Sequence, residues 1–368
     1  MQFVTNRTLP TSLLVLAIGL GVCLPAASAS RDEIREQLDS WLTGTGTPSA
    51  AVAYIEQGKV RWTLVTGEQA PGVAADQHTL YNVASLAKPV TAELLLRLSN
   101  EQPSFLDETA ARYWLDPDIA GHDYAQKLTI KHLLSHQSGF PNWRYQSQDK
   151  LTFKFEPGTG SGYSGEGYQY LALAMQEKWQ QPFEALMQKH LFTPLQMHNS
   201  AFTQKPWFKG RLAFPKGPKG EFSEPAPRQE FVAADDLYTT IDDYALFVAS
   251  VVTGQGLNEP LASRRWSLDF NLAEGLCQSG RLDKTDCPQK LGFVMGWTLV
   301  EYGDLTLYMQ GGGDWGERAL AVMVPATQTG IVVLTNGAKG MQVVRKVVNS
   351  LFPHPKFDAF LKMQAEGS

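Results

Sequence analysis

Strand-like runs gather at the two ends of this chain, and a long stretch of mostly helical pattern separates them. Near the start, AAVAYI (50–55) and KVRWTLV (59–65) flank Gln57-Gly58, the signature of a hairpin. Near the end come FVMGWTLVE (293–301), DLTLYMQ (304–310), ALAVMVP (319–325) and GIVVLTN (330–336). Their short connections imply antiparallel pairing. Between the two groups, helical spacing predicts helices over 86–98, 129–136, 164–178, 182–190 and 241–253. Helices at 31–42, on Ile34, Leu38, Trp41 and Leu42, and at 341–351 bracket the strands. The expected fold class is α/β (α+β): an antiparallel sheet flanked by helices, plus a mostly helical subdomain. A single domain over 30–368 is expected, with its α/β part at about 30–84 and 285–368 and its helical part at about 85–284. A cleft between the parts is where a small-molecule site would form. The Pro/Gly-rich loop at 204–230 is long for a compact domain, and is expected to be functional or mobile.

A composition of 43% hydrophobic and 19% charged residues, with nine Trp and eighteen Phe, fits a globular protein with a large core. The formal charge of -5 and the absence of a Lys/Arg block give nucleic acid or an anionic membrane nothing to bind. Residues 1–29 read as a secretory signal: Arg7 is the only charge, SLLVLAIGLGVCLPAA is the apolar centre, and Ala27-Ser28-Ala29 is a small-residue cleavage site. The apolar run is shorter than the ~20 residues that span a bilayer. Cleavage before Ser30 is expected, leaving a periplasmic or secreted protein with no stable membrane insertion. Cys23 leaves with the leader. Cys277 and Cys287, ten apart in a polar stretch, then read as a local disulfide, with a reactive thiol as the other reading.

The chain contains two S-x-x-K tetrapeptides, and roughly one is expected by chance at this length. Ser147–Lys150 lies in a polar loop. Ser85–Lys88 (SLAK) lies in an apolar setting, with Pro89 marking the first turn of a helix. On such a turn the Lys88 ammonium can lie beside the Ser85 hydroxyl, and helix N–H groups can meet a developing oxyanion. A serine needs such a partner, because its hydroxyl is otherwise a weak nucleophile. Downstream, GSGYSGEGYQYLALAM (160–175) places Tyr163 just before an apolar helix, where it either serves Ser85 or caps the helix as a core aromatic. The same segment matches G-x-G-x-x-G at Gly160, Gly162 and Gly165. No strand precedes it, so a nucleotide site is not implied. His132 and His136, four apart, have metal-ligand spacing. No Glu stands between them as in H-E-x-x-H, and capping or structural hydrogen bonds are the expected roles.

Taken in order, YNVASLAK, LTIKHLLSHQSGFPNW (128–143), YSGEGYQYLALAMQEKWQQPFEALMQKHLFTPLQMHNSAF (163–202) and FVAADDLYTTIDDYALFVASVVTG (231–254) resemble the serine β-lactamase-related family. That family includes class C β-lactamases, D-alanyl-D-alanine carboxypeptidases, D-amino-acid peptidases and esterases. The likeness spans nearly all of the chain after the leader and implies a β-lactamase/transpeptidase-like fold. It also implies roles. Ser85 would be the acylated nucleophile, Lys88 its proton partner and Tyr163 the general base, matching the tyrosine of the family's Y-x-N motif. The Ser85 N–H would form half of the oxyanion hole. The third motif, K-T-G or H-x-G in the family, falls at Gln310-Gly311-Gly312, and Gly313 would give the second oxyanion N–H.

The sequence departs from that pattern twice. Gly165 stands where the motif has Asn, and Gln310 stands where it has Lys or His. A neutral amide can donate a hydrogen bond but lacks charge-assisted strength. Lys284-Thr285-Asp286 lies outside the strands and is a poor substitute for the triplet, whereas Arg318 could return a cation to the neighbourhood. The resemblance implies an exported serine hydrolase acting on an ester, a D-amino-acid peptide or a β-lactam. It implies no cofactor, no metal and no partner beyond a small-molecule or peptide substrate, and a monomer is expected. The two departures leave open a catalytically impaired module that binds envelope peptides.

Overall fold

A computed structural model describes residues 29–366; the expected leader and Cys23 lie outside these residues. The described residues form ten strands: β1 (Ser49–Glu56), β2 (Lys59–Ala70), β3 (Val73–Ala74), β4 (Tyr81–Asn82), β5 (Tyr238–Thr239), β6 (Lys290–Phe293), β7 (Thr298–Glu301), β8 (Thr306–Gly313), β9 (Arg318–Val324) and β10 (Thr329–Thr335). Eight form one sheet in the order β3-β2-β1-β10-β9-β8-β7-β6, and β4 pairs with β5. Every pairing is antiparallel. The two terminal groups of strands therefore meet at the centre, where β1 pairs with β10 from Ala50↔Thr335 to Ile55↔Gly330.

The period of two along β1 divides its residues between two cores. Ala51, Ala53 and Ile55 join one cluster, and Ala50 and Val52 join the other. The second face is covered by α1 (Arg31–Thr45), through Ile34, Leu38 and Leu42, and by α9 (Gly340–Leu351) and α10 (Pro355–Glu366). The first face carries α2 (Ala87–Leu98), α3 (Ile130–Leu134), α4 (Gly165–Trp179), α5 (Phe183–Met187) and α6 (Ile241–Val252). Two short helices, α7 (Glu259–Arg264) and α8 (Ala273–Gln278), lead back to the sheet. α1 is held at its start by Ser30, whose hydroxyl accepts from Glu33 N–H while the Glu33 carboxylate accepts from Ser30 N–H.

One expected strand is two. The run 293–301 breaks at Val294–Trp297, where Gly296 has φ +85° and a Cβ would lie 2.6 Å from that of Ala92 on α2. The chain turns there because it passes too close to α2 for a side chain. The 204–230 loop is tied down along its course. Phe214 N–H donates to Gln69 O, Lys216 N–H to Asn336 O, and Gln204 N–H to Arg228 O. Among the described residues no helix is long and apolar enough to cross a membrane.

Candidate active site

Ser85 lies in a single 3₁₀ turn, Ala84–Leu86, that runs directly into α2. Two devices hold that turn. Ala84 has φ +47°, a left-handed conformation that costs a non-glycine residue about 1–3 kcal/mol, and its N–H donates to Asn82 Oδ1 at 3.0 Å. On the other side β8 presses in so closely that a Cβ on Gly312 would sit 2.1 Å from the Val83 carbonyl oxygen. A glycine is required there, and it brings Gly313, exposed at the end of β8, up to the same turn.

Lys88, one helical turn on, is 1% exposed. Its Nζ donates to Ser85 Oγ and to Ala234 O, each at 2.9 Å. It also sits 4.7 Å from the Tyr163 ring centroid and 6.0 Å from that of Trp143. The structure thus brings Ser85, Lys88, Tyr163, Gln310, Gly312, Gly313 and Gly165 into one cleft. Tyr163 meets Lys88 by its ring face. Its Oη accepts from Gln310 Nε2 at 3.1 Å, and no hydrogen bond joins it to Ser85 or Lys88 among the described residues. The second N–H of Gln310 goes to Gly311 O at 2.9 Å. Sequence had left that amide free to donate to a ligand; both of its N–H groups are engaged within the protein. The guanidinium of Arg318 is similarly engaged, donating to the carbonyl oxygens of Asp314 and Glu317 across the β8–β9 turn.

Gly165 has a steric reason. A Cβ at this position would lie 2.8 Å from two ring atoms of Trp143, so the indole fills the space an asparagine side chain would need. The loop carrying Trp143 is clamped to α4. Asn142 O accepts the N–H groups of Gly165 and Glu166, both at 3.0 Å, and Arg144 bridges Glu166 and Asp116. Gly165→Asn is expected to destabilise the fold by about 1–3 kcal/mol through overpacking. In urea melts, Gly165→Asn combined with Trp143→Ala should cost less than the sum of the single changes.

His136 makes a structural hydrogen bond, the kind of role the sequence expects, and adds its ring to the site. It is 3% exposed, stacks on Tyr163 at 4.5 Å and accepts from Ser164 N–H at 3.1 Å, which fixes the entry into α4. Burial, followed by the nearby Lys88 charge, holds its pKa well below the usual histidine value, so it is a neutral wall of the cleft. His132 closes the first turn of α3, accepting from Thr129 N–H. Among the described residues no group of three or more His, Cys, Asp or Glu side chains is placed to hold a metal. Cys277 and Cys287 lie remote from this cleft, at disulfide distance, with Cα atoms 5.9 Å apart. Lys284–Asp286 forms a 3₁₀ turn between them.

Comparison with known proteins bears on the family and the fold. A family model described as "Beta-lactamase" matches residues 31–348. Penicillin-binding protein 4 of Amycolatopsis lactamdurans is 26% identical over 325 residues, covering 82% of this chain and 84% of that protein. The D-alanyl-D-alanine-carboxypeptidase/endopeptidase AmpH of Escherichia coli is 25% identical over 198 residues, covering 48% of this chain and 50% of that one. Among solved structures, the octameric penicillin-binding protein homologue from Pyrococcus abyssi superposes with a TM-score of 0.73 at 15% identity, covering 90% of this chain and 79% of that chain. The D-alanine carboxypeptidase AmpC from Burkholderia cenocepacia does so at 0.69 and 20% identity, covering 87% and 97% respectively. The chain belongs to the β-lactamase family of serine hydrolases.

Proposed function

We propose that this protein is an exported hydrolase that forms an acyl-enzyme at Ser85 on an ester or amide substrate that carries no carboxylate at the third motif. The observation that carries the reading is the buried Lys88 Nζ, 2.9 Å from Ser85 Oγ at the start of a helix. Lys88 Nζ takes the Oγ proton as the oxygen attacks the substrate carbonyl. Its other contact, to Ala234 O, aims it at the serine. The Ser85 and Gly313 N–H groups receive the oxyanion, each contributing about 10²–10³-fold. Because Tyr163 Oη accepts from Gln310, its own O–H proton stays available for the leaving group. Lys88, now an ammonium beside the ring, returns a proton to the phenolate. Water then cleaves the acyl-enzyme by the reverse proton path, and Ser85 is regenerated.

The signal-like segment at 1–29 and the Cys277–Cys287 pair support export to an oxidising compartment, where that pair would be a disulfide. Gly165 and Gln310 leave no side-chain cation at the positions where the sequence pattern expected polar anchors, which disfavours carboxylate-bearing β-lactams relative to other esters and amides.

Intact-mass labelling with a fluorophosphonate tests the reading. One adduct per chain is expected on the wild type and none on Ser85→Ala, whose turnover should fall about 10³-fold or more. An adduct that survives in Ser85→Ala, or no adduct with this probe or a penicillin, would overturn it.

A further inference from the structure

The third motif creates a polarity opposite to the one a basic residue would bring. Gln310 is 6% exposed. Its amide has two N–H donors and one acceptor oxygen, and both donors are committed, to Tyr163 Oη and Gly311 O. A carbonyl oxygen only accepts, so the nitrogen must face Gly311, and reversing the amide would set Oε1 against the Gly311 carbonyl. Oε1, on the same planar group, has no protein donor among the described residues. The polar atom that Gln310 leaves for a ligand is an acceptor.

The charges around it have the same sense. Asp235 follows Ala234, whose carbonyl holds Lys88. Asp314 follows Gly313, and Glu317 closes the β8–β9 turn, its carbonyl accepting from Asp314 N–H at 3.1 Å. Asp235 and Glu317 are both pushed up to about 7, by burial first; Asp236 and Asp314 add repulsion at Asp235, and Asp314 and Asp235 add it at Glu317. Lys88 opposes the rise at Asp235 and Arg318 opposes it at Glu317, yet neither carboxyl forms an ion pair within 4.0 Å. Asp236 differs, being paired with Arg228 at 2.7 Å. Arg318 is held on two backbone carbonyls.

We infer that Gln310 determines specificity, and that the substrate carries an ammonium group where a basic third motif would hold a carboxylate. Oε1 accepts a hydrogen bond from that ammonium, and Asp314, with Asp235 and Glu317, supplies the attractive field. A substrate carboxylate at the same place meets an acceptor oxygen and the Asp314 carboxylate, the repulsive element that specificity requires. The inference rests on the acyl-enzyme reading at Ser85.

Three phenylacetyl esters with a common acyl group test it: those of glycolate, glycolamide and N,N-dimethylaminoethanol, the last protonated at neutral pH. For the wild type, kcat/KM should be highest for the cationic ester and lowest for the anionic one, about tenfold or more apart. The gap should narrow in about 0.5 M NaCl. Gln310→Lys should raise the glycolate ester above the cationic one, and Asp314→Asn should reduce the cationic advantage. The wild-type ranking decides the matter even if Gln310→Lys does not fold. Equal turnover of the three esters, or preference for the glycolate ester, with all hydrolysis lost in Ser85→Ala, would overturn the inference and leave the hydrolase standing. Absence of both Ser85-dependent turnover and a Ser85 adduct would overturn the hydrolase reading and this inference with it.

Discussion

Lys88→Met should lower the rate of Ser85 acylation by about 10²–10⁴-fold while leaving substrate affinity close to that of the wild type. Methionine keeps the length and apolar stem of the side chain, so the loss is confined to what Nζ does. Two hydrogen bonds disappear, one to Ser85 Oγ and one to the Ala234 carbonyl. The first is the proton path. The second leaves an acceptor in a buried place without its donor, at about 1–3 kcal/mol. Single-turnover kinetics with a chromogenic ester separate the effects: a slow burst with unchanged half-saturation marks the chemical step. A thermal melt reports the structural cost. Acylation at the wild-type rate in Lys88→Met would remove lysine from the mechanism and leave Tyr163 as the base.

The second large effect lies on the same helix and is one of stability. Glu93 and Arg265, 1% and 2% exposed at their side chains, form an ion pair between α2 and the end of α7. Arg265 also donates to Val251 O at 2.8 Å and lies 4.2 Å from the Trp266 ring centroid. Arg97, close enough to feel both charges, is itself largely buried, and its pKa is lowered first by that burial. Glu93→Leu strands the Arg265 guanidinium without its carboxylate. The expected cost is about 3–5 kcal/mol, because breaking one side of a buried pair leaves a charge unpaired and desolvated. Glu93→Leu combined with Arg265→Met should recover much of it, since an apolar pair of similar volume needs no such compensation. Chemical denaturation of the three variants measures both numbers. If Glu93→Leu alone is neutral, the pair is not what fastens α2 to α7.

Much of this architecture was legible in local pattern. The strand-like runs flanking Gln57-Gly58 and those late in the chain predicted the sheet, and Pro89 marked where the Ser85 helix begins. Contacts between distant segments were not legible. Nothing near Gln310 says that its amide nitrogen will meet Tyr163, 147 residues earlier in the chain. Gly165 read as a missing asparagine until Trp143 was found in its place. The break at Gly296 was hidden because the apolar residues on both sides continue one run, and only the approach of Ala92 forces the turn. β4 and β5, two residues each, are too short to have a period. The Glu93–Arg265 pair escaped because a glutamate within an apolar helix looks the same in sequence whether or not a cation waits across the core. The site chemistry was easier to read than the site's selectivity, because S-x-x-K is local and the groups around the substrate come from five separate stretches.

The central β1–β10 pairing also sets an order of events for a newly made chain. β1 must wait for its partner until almost 280 further residues have followed it. At about 5–20 residues per second of synthesis, that is roughly 14–56 s during which the middle of the sheet cannot close. Any leader at the first residues would be exposed to the export machinery throughout that interval, attached to a chain that is still threadable. Folding would then follow delivery, and the strained turn at Ala84 would form only where the protein is to work.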